Sequence, residues 1–395
     1  MKWLDMLRTM MADGHYRGAI VLFVFGPMLF LIQPLVIGAI AEAYGLGPRQ
    51  IGFFASSDLY GSALGAMIAG LWVMRARPMT VIALGLGVFI LGNLITLLTP
   101  SFPILLGVRG LCGFGAGTVT ALATLALGRH PRPDFIFGIG ITAQLSVSTL
   151  ALVLLPVPIA AFGFAAAYWF LIAVALLALI AGIGMRPLEA ITPKGENDAA
   201  EGGSGKVVKV GVLLSCLLIF VAVSAVWAYS QPIAKASGIA LGPVGVALAA
   251  AGVAGALGSL LASKLGERLP RLPQLLVGIV GLAGSALVLM PGLSLAAFVL
   301  AVCVFKLAYC FIISLQMAIM ADIDRDGRFL TILPSFQILG SAIGPSAVAA
   351  IMTGGDLTTV AAVACTALLL TLMTIAPAAR GADRRRTAIS SPVPA

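Results

Sequence analysis

Charged side chains are scarce in this sequence, and their scarcity excludes most soluble proteins. Asp, Glu, Lys and Arg make up 10% of the 395 residues, whereas 60% are hydrophobic and the mean hydropathy is +1.10. An ordinary soluble domain has about 25% charged residues. The surface must therefore face lipid, and the long apolar runs predict an all-α membrane protein.

Groups that bind metals or drive catalysis are also few. Two histidines, His15 and His130, lie outside the apolar runs, and the five cysteines lie within such runs without metal-ligand spacing. No Gly-x-x-x-x-Gly-Lys segment for nucleotide binding and no nucleophile–base set is present in the sequence. We therefore expect no metal, no cofactor, no disulfide framework and no enzyme activity.

Twelve apolar runs are long enough to cross a bilayer, which takes about 20 helical residues. These spans, numbered 1 to 12, cover residues 18–41, 50–74, 79–99, 102–127, 135–159, 163–185, 209–231, 243–264, 273–290, 294–320, 328–352 and 357–378. Because their number is even, both termini are expected on the same side.

Positive charge indicates which side that is. Of the 24 lysines and arginines, Arg49 and Lys235 fall on the opposite side, Arg109 and Lys306 lie within spans, and the other 20 (24 − 4) accompany the termini. Lys and Arg are enriched in the cytoplasmic loops of membrane proteins. We predict a multi-pass monomer of the cell (inner) membrane with both termini cytoplasmic. This distribution accounts for the net charge of +9, so no nucleic acid partner is expected.

A hydrophilic segment at 186–206, rich in Gly and charged residues, has the composition of a flexible linker. It divides the chain into an N-terminal six-helix bundle (1–185), a cytoplasmic linker (186–208) and a C-terminal six-helix bundle (209–379). We expect residues 380–395 to form a disordered cytoplasmic tail.

The two halves repeat each other. Three pairs correspond at offsets of 198, 195 and 193 residues: Gln33-Pro34 with Gln231-Pro232, Leu46-Gly47-Pro48 with Leu241-Gly242-Pro243, and Gln144 with Gln337. Arg109 and Lys306 are separated by 197 residues, within the range of these offsets. The two intramembrane cations thus occupy equivalent places in two parallel, pseudo-symmetric repeats.

Arg109 opens the segment Arg-Gly-Leu-Cys-Gly-Phe-Gly-Ala-Gly inside span 4. A charge at such a depth costs at least a few kcal/mol, so a lasting role is expected. The glycines remove side chains and allow a neighbouring helix to pack closely.

Residues 109–117 resemble the fourth-helix signature of the major facilitator superfamily, and residues 258–268 resemble its loop signature after the eighth helix. The counterpart at 70–77 is degenerate, with Met74 in place of the usual acidic residue. The resemblance covers essentially the whole chain. It implies twelve transmembrane helices in two bundles that rock about a central site lined by helices 1, 4, 7 and 10.

The sequence differs in one respect from the drug exporters of that superfamily, which usually carry Gly-x-x-x-Gly-Pro in helix 5. Span 5 lacks it, whereas a similar string stands at 340–345 in span 11. The exporter interpretation is weakened and stays open.

Lys306 lies near the membrane midplane, and Tyr309 follows one turn later on the same face. A cation beside a phenol suits a carboxylate, although a structural lysine is the alternative. Arg109 either binds substrate, tunes a carboxylate or donates to neighbouring helices. Asp58 is the only carboxylate deep in a span; it either couples protons or forms a permanent pair with Arg109.

Uncharged polar and aromatic side chains complete the predicted site. Gln33, Gln144, Gln231 and Gln337 either line the central cavity or bridge helices. Trp227 and Tyr229 either gate the cavity, stack on an aromatic substrate or form an interfacial belt. The acidic and basic run at 322–328 is expected to be a solvated loop, or else an inner-gate latch.

These residues predict a secondary transporter that takes up a small organic anion, such as a mono- or aromatic carboxylate, together with protons. The alternatives are a proton-driven exporter of amphipathic compounds and, from another class, a membrane sensor that binds ligand without transport. A membrane-embedded enzyme is a distant further alternative, since no catalytic set is present.

Overall fold

The computed structural model describes residues 13–73, 75–98, 101–130, 133–186, 206–265, 269–324 and 328–390. Within these ranges the secondary structure is helical throughout, without strands. The helices are α1 (Gly14–Phe25), α2 (Met28–Tyr44), α3 (Pro48–Trp72), α4 (Pro78–Leu98), α5 (Phe102–Gly128), α6 (Pro133–Leu154), α7 (Pro156–Phe162), α8 (Ala165–Gly182), α9 (Lys206–Ala236), α10 (Leu241–Leu265), α11 (Arg271–Val288), α12 (Leu295–Ile323), α13 (Arg328–Ile351) and α14 (Thr358–Ser390).

These helices belong to two compact units, residues 1–194 and 195–395. Helices α1 to α8 lie in the first unit and α9 to α14 in the second. Most of the predicted linker, residues 187–205, falls outside the described residues, as do Met74 and residues 266–268 of the two loop signatures.

Eleven stretches of the described chain are long and apolar enough to cross a membrane. They correspond to every predicted span except span 2, which is the 25-residue helix α3 with Arg49 and Asp58 in its sequence. The predicted all-α membrane fold is confirmed. The orientation of the termini stays a prediction.

The first span is interrupted where α1 meets α2, at Gly26 and Pro27. Pro27 has no N–H to continue the helical ladder. A Cβ on Gly26 would lie 2.0 Å from Oγ1 of Thr120, so the break allows α1 to approach α5 closely.

Helices α3 and α5 pack backbone against backbone. A Cβ on Gly113 would lie 1.9 Å from the carbonyl oxygen of Asp58, and one on Gly117 would lie 2.1 Å from that of Ser62. Small residues are what permit this approach. Since Arg109 lies one turn before Gly113, the same contact brings Arg109 beside Asp58.

Glycines have the same role in the second unit. A Cβ on Gly258 would lie 2.1 Å from the carbonyl oxygen of Leu307, which brings α10 onto α12. Gly340 and Gly344 similarly allow α13 to approach α9 closely, at the carbonyl groups of Leu217 and Val221. The exporter-like string at 340–345 therefore contributes to helix packing in this half.

Helix α14 continues to Ser390, into the segment that the sequence predicts to be a tail. Alanine and arginine are strong helix formers and are frequent in this segment. The carboxylate of Asp383 also accepts the backbone N–H groups of Arg271 and Leu272, at 2.7 and 3.2 Å. This contact caps the start of α11 and holds the end of α14 against it.

The acidic run at 322–328 carries two ion pairs within the second unit. Asp322 pairs with Arg271 at 2.7 Å, and Asp324 pairs with Lys209 at 3.0 Å. Asp324 is buried and also accepts the N–H of Phe329 at 2.7 Å. These carboxylates tie α9, α11, α12 and α13 together. The expectation of a simple solvated loop is wrong for Asp324, which is buried, whereas Asp322 stays exposed.

Candidate functional site

A buried ion pair lies at the contact between α3 and α5. Arg109 donates to Asp58 twice, through Nε to Oδ2 at 2.8 Å and through Nη2 to Oδ1 at 2.7 Å. The arginine is fully buried and Asp58 is 5% exposed. This two-point geometry is the strongest that the two groups can form.

The rest of the guanidinium is also held by the first unit. Its Nη1 donates to Oδ1 of Asn93 at 2.9 Å, and Asn93 in turn donates to the carbonyl of Phe89 at 2.6 Å. The ring of Tyr168 lies 5.4 Å from the guanidinium carbon. All three nitrogens of Arg109 therefore have acceptors, and the arginine is fixed in place.

A cleft opens beside this pair. It is lined by Gln33, Asp58, Arg109 and Tyr168 together with apolar side chains. Gln33 donates through Nε2 to the carbonyl of Ala55 at 3.1 Å. Among the described residues, its Oε1 and the hydroxyl of Tyr168 are buried without a hydrogen-bond partner.

The second unit holds the other intramembrane cation. Lys306 is 7% exposed, and no carboxylate in the described part of the chain forms an ion pair with it. Its Nζ lies 4.4 Å from the centre of the Trp227 ring and 5.1 Å from that of Tyr309. The faces of two aromatic rings thus partly offset its charge.

The local sequence explains this position. Lys306 is the twelfth of the 29 residues of α12, and Tyr309 follows one turn later. Gly255 of α10 lies beside the lysine, where a Cβ would be 3.0 Å from Cγ of Lys306. Phe220 of α9 packs edge-on against Tyr309 at 5.7 Å. The ammonium group therefore sits among aromatic rings contributed by α9 and α12.

The remaining predicted site residues are divided between the units. Gln144 lies in α6 of the first unit and is half-buried, and Gln337 lies half-buried in α13. Gln231 and Tyr229 are buried in α9, on the same helix as Trp227. Among the described residues no hydrogen bond joins the two glutamines of either unit.

Two of the residues that surround Arg109 are not among the site residues predicted from the sequence. Asn93 is a fully buried amide inside an apolar span, and Tyr168 is a fully buried phenol. A polar side chain at such a depth is itself a signal, because it needs a partner there. The sequence does not show that both approach Arg109, since their helices are far apart along the chain.

A metal site is not evident in the described ranges, which contain no group of three or more His, Cys, Asp or Glu side chains placed to hold an ion. The cysteines there are unpaired. Among the described residues, the geometry provides one cation neutralised by a carboxylate, one cation without a carboxylate partner, and a cleft with two polar atoms that have no hydrogen-bond partner.

The sequence profile of the Major Facilitator Superfamily matches residues 18–345. No curated protein matches the sequence. Among solved structures, the nucleoside transporter NupG has a TM-score of 0.68 at 12% identity, with 91% of this chain and 98% of that chain covered.

Two further solved structures share the fold. A bacterial homolog of the human lysosomal transporter Spinster, inward-facing and occupied, has a TM-score of 0.66 at 16% identity, covering 96% of this chain and 98% of that one. A proton dependent oligopeptide transporter has a TM-score of 0.68 at 13% identity, covering 94% and 99%. At these identities the likeness concerns the fold alone.

Proposed function

The chain belongs to the major facilitator superfamily of transporters, and we propose that it takes up a small organic anion, a mono- or aromatic carboxylate, together with a proton. It would do so as a monomer in the cell (inner) membrane with both termini cytoplasmic, by alternating access. The observation that carries this proposal is Lys306, a buried cation with no carboxylate partner in the described part of its unit.

The net charges of the residues around Arg109 and of those around Lys306 support an anionic substrate. Arg109 and Asp58 cancel each other, whereas Lys306 leaves one positive charge. A buried charge without a counter-ion is costly, and an arriving carboxylate would offset that cost. The rings of Trp227 and Tyr309 beside the ammonium favour a planar or aromatic acid.

The pair in the first unit supports coupling to protons. Arg109 gives two of its three nitrogens to Asp58. Protonation of Asp58 would remove that negative charge and free the guanidinium to receive an anion. Proton and substrate would then favour the same conformational state, which is the requirement for symport.

An exporter of cationic drugs fits these contacts less well. Such a protein needs a carboxylate that is available to a cation, and both oxygens of Asp58 already accept hydrogen bonds from Arg109. Loss of drug resistance in cells that lack the protein would favour the exporter. Ligand binding without counterflow would favour a sensor.

The test is uptake of radiolabelled carboxylates by proteoliposomes under an imposed pH gradient. We expect Lys306→Ala to abolish uptake and Asp58→Asn to abolish accumulation while exchange of substrate persists. Lys206→Ala, which removes an exposed lysine from the start of α9, is the matched control and should transport normally. Uptake that survives Lys306→Ala rejects the anion site, and accumulation that survives Asp58→Asn rejects the coupling role.

A further inference from the structure

The cleft of the first unit contains polar atoms that the ion pair does not use. Oε1 of Gln33 and the hydroxyl of Tyr168 both belong to side chains that line the cleft, and neither has a hydrogen-bond partner among the described residues. The two residues are 3% and 0% exposed. Buried polar atoms are almost always hydrogen-bonded, so two unpaired ones at one cleft are available to a polar group that enters it.

The net charge of the cleft limits what that group can be. Asp58 and Arg109 together contribute zero charge. A protonated amine or a second carboxylate would bring an uncompensated charge into a buried site, which is strongly unfavourable. The ligand group that enters the cleft while this ion pair is intact is therefore neutral.

The two unpaired atoms specify its hydrogen-bonding character. An amide oxygen can only accept, whereas a phenol can donate as well as accept. A hydroxyl group matches the character of both, since it can donate its proton to an amide oxygen and accept one from a phenol. The other walls of the cleft, among them Leu29, Val36 and Phe54, are apolar.

We propose that this cleft is a subsite for a neutral hydroxyl group of the substrate, with Gln33 as acceptor and Tyr168 as donor. This inference rests on the proposed function and narrows it, because the transported anion becomes a hydroxylated carboxylic acid. It also assigns Tyr168, of α8, a role in substrate selection.

The experiment compares matched acids that differ by one hydroxyl: the three hydroxybenzoates with benzoate, mandelate with phenylacetate, and lactate with propionate. Each competes for counterflow in proteoliposomes. A site built to bind a hydroxyl rejects the analogue that lacks it, so we expect a preference of at least about tenfold for the hydroxylated member of one pair or more.

Two variants assign that preference to the cleft. Tyr168→Phe and Gln33→Leu should each reduce it below about threefold by weakening only the hydroxylated acid. Tyr44→Phe is the matched control: its hydroxyl donates to the carbonyl of Thr96 at 3.0 Å, away from the cleft, and the preference should persist. Thermal unfolding of each purified variant verifies that it is folded.

The outcomes separate this inference from the transport proposal. If acids compete only when Lys306 is present but show no preference for the hydroxylated member, the subsite is rejected and the anion-transport proposal is kept. The same conclusion follows if a preference is found but persists in both cleft variants. A neutral pair, uridine and its 2′,3′-dideoxy analogue, is measured by thermal shift in parallel. If uridine binds better than its dideoxy analogue, if this preference depends on Tyr168, and if no carboxylate binds, the subsite is supported and the anion proposal is rejected. If none of the compounds binds, both proposals are rejected.

Discussion

Arg109 holds both carboxylate oxygens of Asp58, at 2.8 and 2.7 Å, whereas Lys306, its equivalent in the second half, faces the ring of Trp227 at 4.4 Å. The two predicted repeats thus each have a cation at the corresponding sequence position, and the structure surrounds the two cations differently. The first half neutralises its cation internally, and the second does not do so with any described carboxylate.

Removal of one partner of the Asp58–Arg109 pair should destabilise the protein more than removal of both. Arg109→Gln leaves a buried carboxylate without its cation, and we expect a loss of about 3–5 kcal/mol in the free energy of unfolding. The double variant Asp58→Asn with Arg109→Gln should recover more than half of that loss. Thermal unfolding in detergent measures this, and simple additivity of the two single losses would contradict it.

The close contact of α3 and α5 should not tolerate a side chain at Gly113. A Cβ there would lie 1.9 Å from the backbone oxygen of Asp58, so Gly113→Ala must push the two helices apart. We expect a loss of at least about 1–3 kcal/mol and weakened anion transport. Gly107→Ala is the control on the same helix, because nothing lies within 4 Å of its Cβ. Equal stability of the two variants would show that the helices are less closely packed.

Trp227 should report substrate binding directly. A carboxylate that binds Lys306 changes the charge 4.4 Å from the indole ring, so we expect a change in tryptophan fluorescence on titration with substrate. Trp227→Phe should abolish the change and weaken binding by about 0.5–2 kcal/mol through the lost cation–π contact. Trp169→Phe, at a position that is 55% exposed, should preserve the signal. A signal that depends on Trp169 instead would place the ligand elsewhere.

Asp383 should stabilise the start of α11. Its carboxylate accepts the N–H groups of Arg271 and Leu272, and loss of such a cap costs about 1 kcal/mol. We expect Asp383→Ala to speed hydrogen exchange at these two amides. Asp356→Ala serves as the control, since that carboxylate accepts the N–H of Thr358 in the second unit. Unchanged exchange at residues 271 and 272 would argue against the cap.

Several features of the molecule follow from local sequence. The positions of the helices agree with the predicted spans to within a few residues at most ends, because hydrophobic length alone decides whether a helix can cross a bilayer. Helix α14 contacts α11 through Asp383, within the predicted tail. That contact joins residues more than a hundred positions apart and leaves no local pattern.

The sequence by itself determined the membrane class, the family, the duplicated halves and the rare intramembrane charges, because these depend on composition, run length and spacing. Only the tertiary structure decided that Arg109 pairs with Asp58 and Asn93, that Lys306 lies among aromatic rings, and that Gln33 and Tyr168 share a cleft. The physical reason is the register between helices. Close contacts at glycines such as Gly113 and Gly258 determine which turns of neighbouring helices meet, and hence which polar groups find partners.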